Sequence, residues 1–167
     1  MALKQIAATA LTASDSTAKE EPGQIRVEAT GKQYRYVRNC SSKTLVKGNA
    51  VNFHLASGVY YQVHCSRPTT DTVRCGGKNA PAGILVGSIK KGNYGWAQIK
   101  GNFLGTTLRM GNGPGLTGSM FGLRCGQTTR VQALSGCAAR ALTVSMGVII
   151  GTGSTTFCKG VLLNGAF

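Results

Sequence analysis

The chain has 167 residues, including 24 glycines and four prolines, and its 19 Lys and Arg against 5 Asp and Glu give a formal charge of +14. A chain of this length can bury the core of one domain and is short for two. It has no uninterrupted apolar run of about eighteen residues, so we expect no membrane span. Frequent glycine with little proline favours short strands and tight turns over helices.

The charge is distributed unevenly along the chain. Residues 1–28 carry three basic and four acidic side chains, a net charge of −1. Residues 29–167 carry sixteen basic side chains and one acid, Asp71, a net charge of +15. A body this basic repels its own copies unless salt or an anionic partner screens it. The distribution therefore predicts either a solvated basic surface or an anionic partner.

The first residues are polar and small, and they end in Lys-Glu-Glu-Pro-Gly. Their only large apolar side chains after Met1 are Leu3, Ile6 and Leu11, too few for a secretory signal. We predict an N-terminal arm over residues 1–23 and a β domain over residues 24–167. We expect the arm to rest on its own domain or on a neighbouring subunit, and to contribute little to the core.

Alternating side chains predict strands directly after the arm. Ile25, Val27 and Ala29 share one face and polar residues the other, which is typical of a half-buried strand. Residues 45–55 and 59–65 alternate in the same way on either side of a Ser-Gly turn. They predict a hairpin.

Residues 82–101 predict a buried central hairpin. The first strand is apolar on both faces, Lys-Lys-Gly-Asn at 90–93 supplies turn chemistry, and the return strand has bulky residues at two-residue spacing. The return strand contains the chain's only tryptophan. We expect Trp96 to be buried, and we predict Trp96 and Tyr94 as structural anchors of the hairpin.

The second half of the chain predicts further strands over 103–110, 142–150 and 157–163. An irregular glycine-rich loop lies at 111–118, and residues 119–141 fit either a short helix or two strands. About ten strands at this spacing favour an all-β fold. We predict a single Gly-rich small barrel or sandwich of short antiparallel strands with an extended N-terminal arm.

Residue types that would carry catalysis are scarce. Asp71 is the only acid after residue 28, so the domain offers no pair of carboxylates for acid/base work. His64 and Cys65 are neighbours in a predicted strand and would point to opposite faces. The two histidines and six cysteines lack zinc-ligand spacing, and no phosphate-binding loop is present. We expect no enzyme activity, no catalytic or metal site and no cofactor.

The six cysteines could form three disulfides, but none lies in a C-x-x-C pair. The chain is also large enough to fold without such cross-links. We therefore favour reduced thiols.

The central hairpin resembles a segment of one family. Residues 83–101 have the form G-x-x-x-G-x-I-x-x-G-x-Y-G-W-x-Q-x-x-G, which resembles a segment of the decoration or cement proteins of tailed-phage heads; residues 43–51 and 147–167 fit more loosely. The resemblance implies a non-enzymatic structural protein on the outer capsid surface of the virion, assembled in the host cytoplasm. It also implies binding to the major capsid protein and a homo-oligomer, with a trimer favoured over a dimer.

The candidate partner-binding residues lie in two places. Lys90 and Lys91 occupy the predicted tip of the central hairpin, where they could meet an acidic shell. In the arm, Leu3, Ile6 and Leu11 could cross to another subunit.

Two other functions stay open. The segment Tyr34-Arg35-Tyr36-Val37-Arg38 could stack bases and hold phosphates, as single-strand-binding barrels do. We expect no nucleic-acid partner, because the basic residues are dispersed along the chain and not gathered around those tyrosines. The third possibility is a secreted, disulfide-bonded β domain that binds polysaccharide.

Overall fold

The computed structural model describes residues 9–54, 60–64, 81–109, 120–123, 131–133, 145–152 and 157–164. These residues form ten strands: β1 (Ile25–Val27), β2 (Gln33–Asn39), β3 (Ala50–Phe53), β4 (Gln62–His64), β5 (Pro81–Leu85), β6 (Tyr94–Arg109), β7 (Met120–Leu123), β8 (Val131–Ala133), β9 (Ser145–Thr152) and β10 (Phe157–Asn164). The described part contains no helix, and hence none that could span a membrane. The all-β prediction is confirmed.

Six strands form a mixed sheet that nearly closes into a barrel-like ring. Antiparallel pairs join β2 to β6, β6 to β5, β5 to β3 and β3 to β4. The return from β4 to β2 is parallel, with Arg38 opposite Gln62 and Asn39 opposite Val63. This parallel pair differs from the antiparallel strands that we expected. It arises because β4, the second strand of the β3–β4 hairpin, lies next to β2. The sixth strand, β1, pairs with β2.

Strand β6 is longer than the short strands that we expected, since it serves two parts of the sheet. Its first part pairs with β2 and β5, and from Lys100 onward it pairs with β10, which continues to β9, β7 and β8. At the change of partner, the Gln98 side-chain amide lies 3.1–3.2 Å from the carbonyl oxygens of Lys100, Gly101 and Asn102. Gly101 has a φ of +89°, a conformation that glycine adopts without strain.

The inward side chains of the ring form an apolar core. Its members are almost completely excluded from solvent: Val37, Leu45, Val51, Phe53, Val63, Ala82, Leu85, Ile89 and Ala97. Five strands and the segments around Leu45 and Ile89 contribute to it, so the core holds the central hairpin against the rest of the ring.

Both predicted hairpins are confirmed where the structure describes them. Strands β5 and β6 pair with Leu85 opposite Ala97, and β3 and β4 pair with Phe53 opposite Val63. Ile89 lies outside β5. In the region 119–141, β7 and β8 are antiparallel, as the two-strand alternative requires. The predicted loop at 111–118 lies outside the described residues.

The predicted orientation of β1 is wrong. Ile25 and Val27 are 47% and 63% exposed, whereas Arg26 is half-buried. Strand β1 ends the sheet, and the face that carries Arg26 lies under the arm, where its Nη1 donates to the Thr9 carbonyl at 3.2 Å. The apolar side of β1 is thus the outward one.

Cys40 is the one cysteine whose side chain the structure describes, and it is a free thiol. Its Sγ donates to the Val63 carbonyl at 3.1 Å. Burial of the sulfur raises the pKa of this thiol, although the nearby Arg38 acts in the opposite direction. The other five cysteine side chains lie outside the described set.

Candidate functional site: a lysine surface at the hairpin tip

The turn of the central hairpin presents two lysines to solvent. The Asn93 backbone N–H donates to the Lys90 carbonyl at 3.1 Å and closes the turn. Gly92 has a φ of +79°, which a side chain would oppose. Lys90 and Lys91 are both exposed, at the tip where the sequence predicts them.

A second basic loop lies beside this turn. Leu45 and Ile89 exchange both backbone hydrogen bonds, at 2.9 and 2.8 Å, and both side chains are buried. In this antiparallel register Val46 lies beside Ser88 on the outward side, and Lys90 is its diagonal neighbour. The Lys47 N–H also donates to Ser88 Oγ at 3.1 Å.

These two loops together form what we call the lysine surface. Its six side chains are all exposed: Lys43, Val46, Lys47, Ser88, Lys90 and Lys91. The sequence identified Lys90 and Lys91 but missed Lys43 and Lys47. The available signal was the apolar pair Leu45-Val46 within a polar, lysine-containing segment.

One buried amide holds the two loops at a fixed separation. Asn39 is fully buried, and its Nδ2 donates to the carbonyl oxygens of Lys43 at 2.8 Å and Ile89 at 2.9 Å. Its Oδ1 accepts from the Ser41 backbone N–H at 2.9 Å and from the Ser41 hydroxyl at 2.6 Å. Because this amide bonds to both loops, their backbones are ordered before any partner binds.

The arm supports the same turn from the other side. Ser14 Oγ accepts from the Lys90 N–H at 3.2 Å and from Asn93 Nδ2 at 3.3 Å. Asp15 and Tyr94 exchange two backbone hydrogen bonds at 3.0 and 2.8 Å. Residues 14 and 15 therefore extend the sheet next to the hairpin tip.

The lysine surface is positive because it contains four lysines and no acid among its six residues. The ion pair of Arg26 with Glu28, at 3.9 Å, lies near the far end of β2. Arg38 adds positive charge below the turn, with its Nε donating to the Gly92 carbonyl at 3.2 Å and its guanidinium 5.7 Å from the Tyr94 ring centre. Such a surface attracts anions in general.

An aromatic cluster begins at Tyr94, directly after the turn of the same hairpin. The Tyr36 ring stacks on Tyr94, with 5.8 Å between the ring centres, and meets Trp96 at 5.0 Å in a tilted arrangement. Trp96 is 1% exposed and Tyr94 is partly buried. The predicted burial of Trp96 is confirmed, and Tyr94 packs against the same cluster.

The arm covers this aromatic cluster. Trp96 Nε1 donates to Thr9 Oγ1 at 3.1 Å, the Tyr36 hydroxyl donates to Asp15 Oδ2 at 3.1 Å, and Leu11 packs on the rings. The described part of the arm, residues 9–23, thus lies on its own domain. Leu3 and Ile6 lie outside the described residues.

The tyrosines of β2 are therefore engaged within the protein. Burial, followed by the charge and hydrogen bond of Glu28, raises the pKa of Tyr34 to about 12. Burial also raises the pKa of Tyr36 to about 12. Arg35 points to the other face, where its guanidinium lies 5.2 Å from the Phe53 ring centre and burial lowers its pKa. With the arm in place, these rings cannot stack on bases.

No group of three His, Cys, Asp or Glu that could hold a metal ion occurs among the residues that the structure describes. The expected lack of a catalytic, metal or cofactor site stays a prediction.

Comparison with protein-family models, with curated proteins and with solved structures finds no match to this chain. The lysine surface and the covered aromatic cluster are therefore interpreted from their own geometry and charge.

Proposed function

We propose that the chain is a viral structural protein that binds the outer surface of a bacteriophage capsid and staples neighbouring major capsid subunits. The observation that carries the proposal is the lysine surface, which is exposed, held by Asn39 and Ser14, and remote from the Arg26–Glu28 ion pair. It lies at the tip of the hairpin that resembles the decoration proteins. The chain acts in the virion as a binder and not as an enzyme, without a cofactor.

Attachment divides into two steps with different physical causes. The positive surface speeds the encounter with an acidic shell and selects against basic surfaces, because charge complementarity acts mainly on the association rate and on specificity. Apolar contacts then hold the complex. A homo-oligomer, for which we favour a trimer, multiplies the number of contacts to the shell and raises the overall affinity without any new kind of contact.

The direct test uses undecorated phage heads and the full-length protein. Co-sedimentation should show saturable binding, electron microscopy should place added density on the outside of the heads, and decorated heads should rupture at a higher temperature than bare heads. Heads that bind no protein at physiological salt would contradict the proposal. A shift of a single-stranded oligonucleotide in the same buffer would instead favour a nucleic-acid-binding barrel, the alternative function.

A further inference from the structure

We infer that the lysine surface receives an acidic protein surface with an apolar side chain at its centre, and that Val46 is the apolar contact. The inference rests on the proposed function, because it specifies the chemistry of the shell surface to which the protein would attach. Both an acidic protein and a nucleic acid would supply negative charge. Only the protein would also supply an aliphatic side chain to contact Val46.

Val46 is the apolar member of the lysine surface and is 57% exposed. Its backbone is fixed by a local turn, since its N–H donates to Asn49 Oδ1 at 2.7 Å and its carbonyl accepts from the Asn49 N–H at 3.0 Å. A branched side chain on a fixed backbone has few rotamers to lose when a partner covers it. It precedes Lys47 in the chain, and the register of the Leu45–Ile89 bridge makes Lys90 its diagonal neighbour, so an apolar side chain is flanked by charge, as at the polar rim of protein interfaces.

None of the six residues of the lysine surface is aromatic. Binding to unpaired bases depends on exposed aromatic rings on which they stack. Tyr94, Tyr36 and Trp96 pack together beneath the arm, and the exposed ring of Tyr60 is not among the six residues of the lysine surface.

The experiment compares three probes of equal negative charge on the full-length protein, by fluorescence anisotropy at low and physiological salt. One peptide alternates Glu with Ser, the second replaces one central Ser by Leu, and the third probe is a single-stranded oligonucleotide. We expect the Leu peptide to bind about fivefold to tenfold more tightly than the Ser peptide, as burial of one aliphatic contact predicts. The oligonucleotide should bind more weakly than the Leu peptide.

Two matched variants locate the effect. Val46→Ser should abolish the preference for the Leu peptide and leave binding of the Ser peptide unchanged. Val27→Ser alters a valine of similar exposure on β1, outside the lysine surface, and should keep the preference. Lys43→Gln/Lys90→Gln should weaken binding of both peptides.

Three results would overturn the inference: an oligonucleotide that binds as tightly as the Leu peptide, a preference that survives Val46→Ser, or no measurable binding of either peptide at low salt. The outcome is separable from that of the head-binding test. Heads that bind while the peptides show no preference would remove this inference and keep the proposed function. If the peptides behave as expected while heads bind no protein, the inference would stand and the proposed function would be contradicted.

Discussion

Two neighbouring regions beside the central hairpin differ in what covers them. Near the start of β6, Trp96 and its neighbour Tyr36 of β2 are buried under the arm; at the tip, Lys90 and Lys91 are exposed beside a second basic loop. The sequence of β2 interleaves aromatic and basic residues, and the fold places Tyr34 and Tyr36 on one face and Arg35 on the other. A cluster that could have stacked on bases instead belongs to the core, and the positive charge is left as the accessible feature.

The arm accounts for this difference, and it does so mostly with polar groups. We expected it to contribute little to the core because it has few large apolar residues. It instead supplies hydrogen-bond partners to the polar atoms of two buried rings, through Thr9 and Asp15. Tyr and Trp need such partners when buried, so a polar segment can complete an aromatic cluster.

The largest effect should come from removing the centre of the covered cluster. Trp96→Ala should lower the free energy of unfolding by about 3–5 kcal/mol, because it leaves a cavity between Tyr36 and the arm. Denaturant unfolding measures this loss. Val46→Ala, on the exposed side of the comparison, should change stability by no more than about 0.5 kcal/mol. Native tryptophan fluorescence at a fully solvated wavelength in the parent protein would contradict the burial of Trp96.

A smaller loss is expected at the residue that joins the two lysine loops. Asn39→Ala leaves the Lys43 and Ile89 carbonyls without their donor and should cost about 2–3 kcal/mol. Asn93→Ala removes a single 3.3 Å hydrogen bond to Ser14 and is the matched control, with a loss of about 1 kcal/mol or less. Equal losses in the two variants would show that Asn39 does not organise the loops.

The contribution of the arm to stability can be tested by replacing one hydroxyl group, that of Thr9. Thr9→Val keeps the shape of the side chain but removes the acceptor of Trp96 Nε1 and the hydroxyl that donates to Glu20 Oε1 at 3.3 Å, so it should cost about 1–2 kcal/mol. Faster cleavage of the arm by protease should accompany the loss. Thr12→Val changes an exposed threonine in the same segment and should change neither quantity. Unaltered protease resistance in Thr9→Val would show that the arm is held by other contacts.

The sequence predicted the parts of the fold that depend on local pattern. The hairpin of residues 82–101, its Lys-Lys-Gly-Asn turn and the burial of Trp96 follow from spacing and turn chemistry. Whether the arm would lie on its own domain could not be predicted, because that depends on hydrogen bonds between residues such as Thr9 and Trp96 that are far apart in sequence.

The same dependence on contacts between distant residues explains two errors of the sequence prediction. They concern the buried face of β1 and the lysines that were missed in the candidate site. Alternation shows that Ile25 and Val27 share a side of β1, but the sheet order and the arm determine which side is buried. Lys43 and Lys47 join the candidate site only through the pairing of Leu45 with Ile89 and the buried amide of Asn39. A lysine in a predicted loop gives no sign of such a long-range neighbour.

The most direct test of the account changes the lysine surface and leaves the fold intact. Lys90→Glu/Lys91→Glu should alter stability by about 0.5 kcal/mol or less, since both side chains are exposed. Its association rate with undecorated heads, measured from low to high salt, should fall well below that of the parent at low salt and converge with it at high salt. Lys19→Glu/Lys100→Glu carries the same charge change on exposed lysines outside the lysine surface, and it should retain a rate closer to that of the parent. A rate that is independent of salt and unchanged in Lys90→Glu/Lys91→Glu would contradict attachment through this surface.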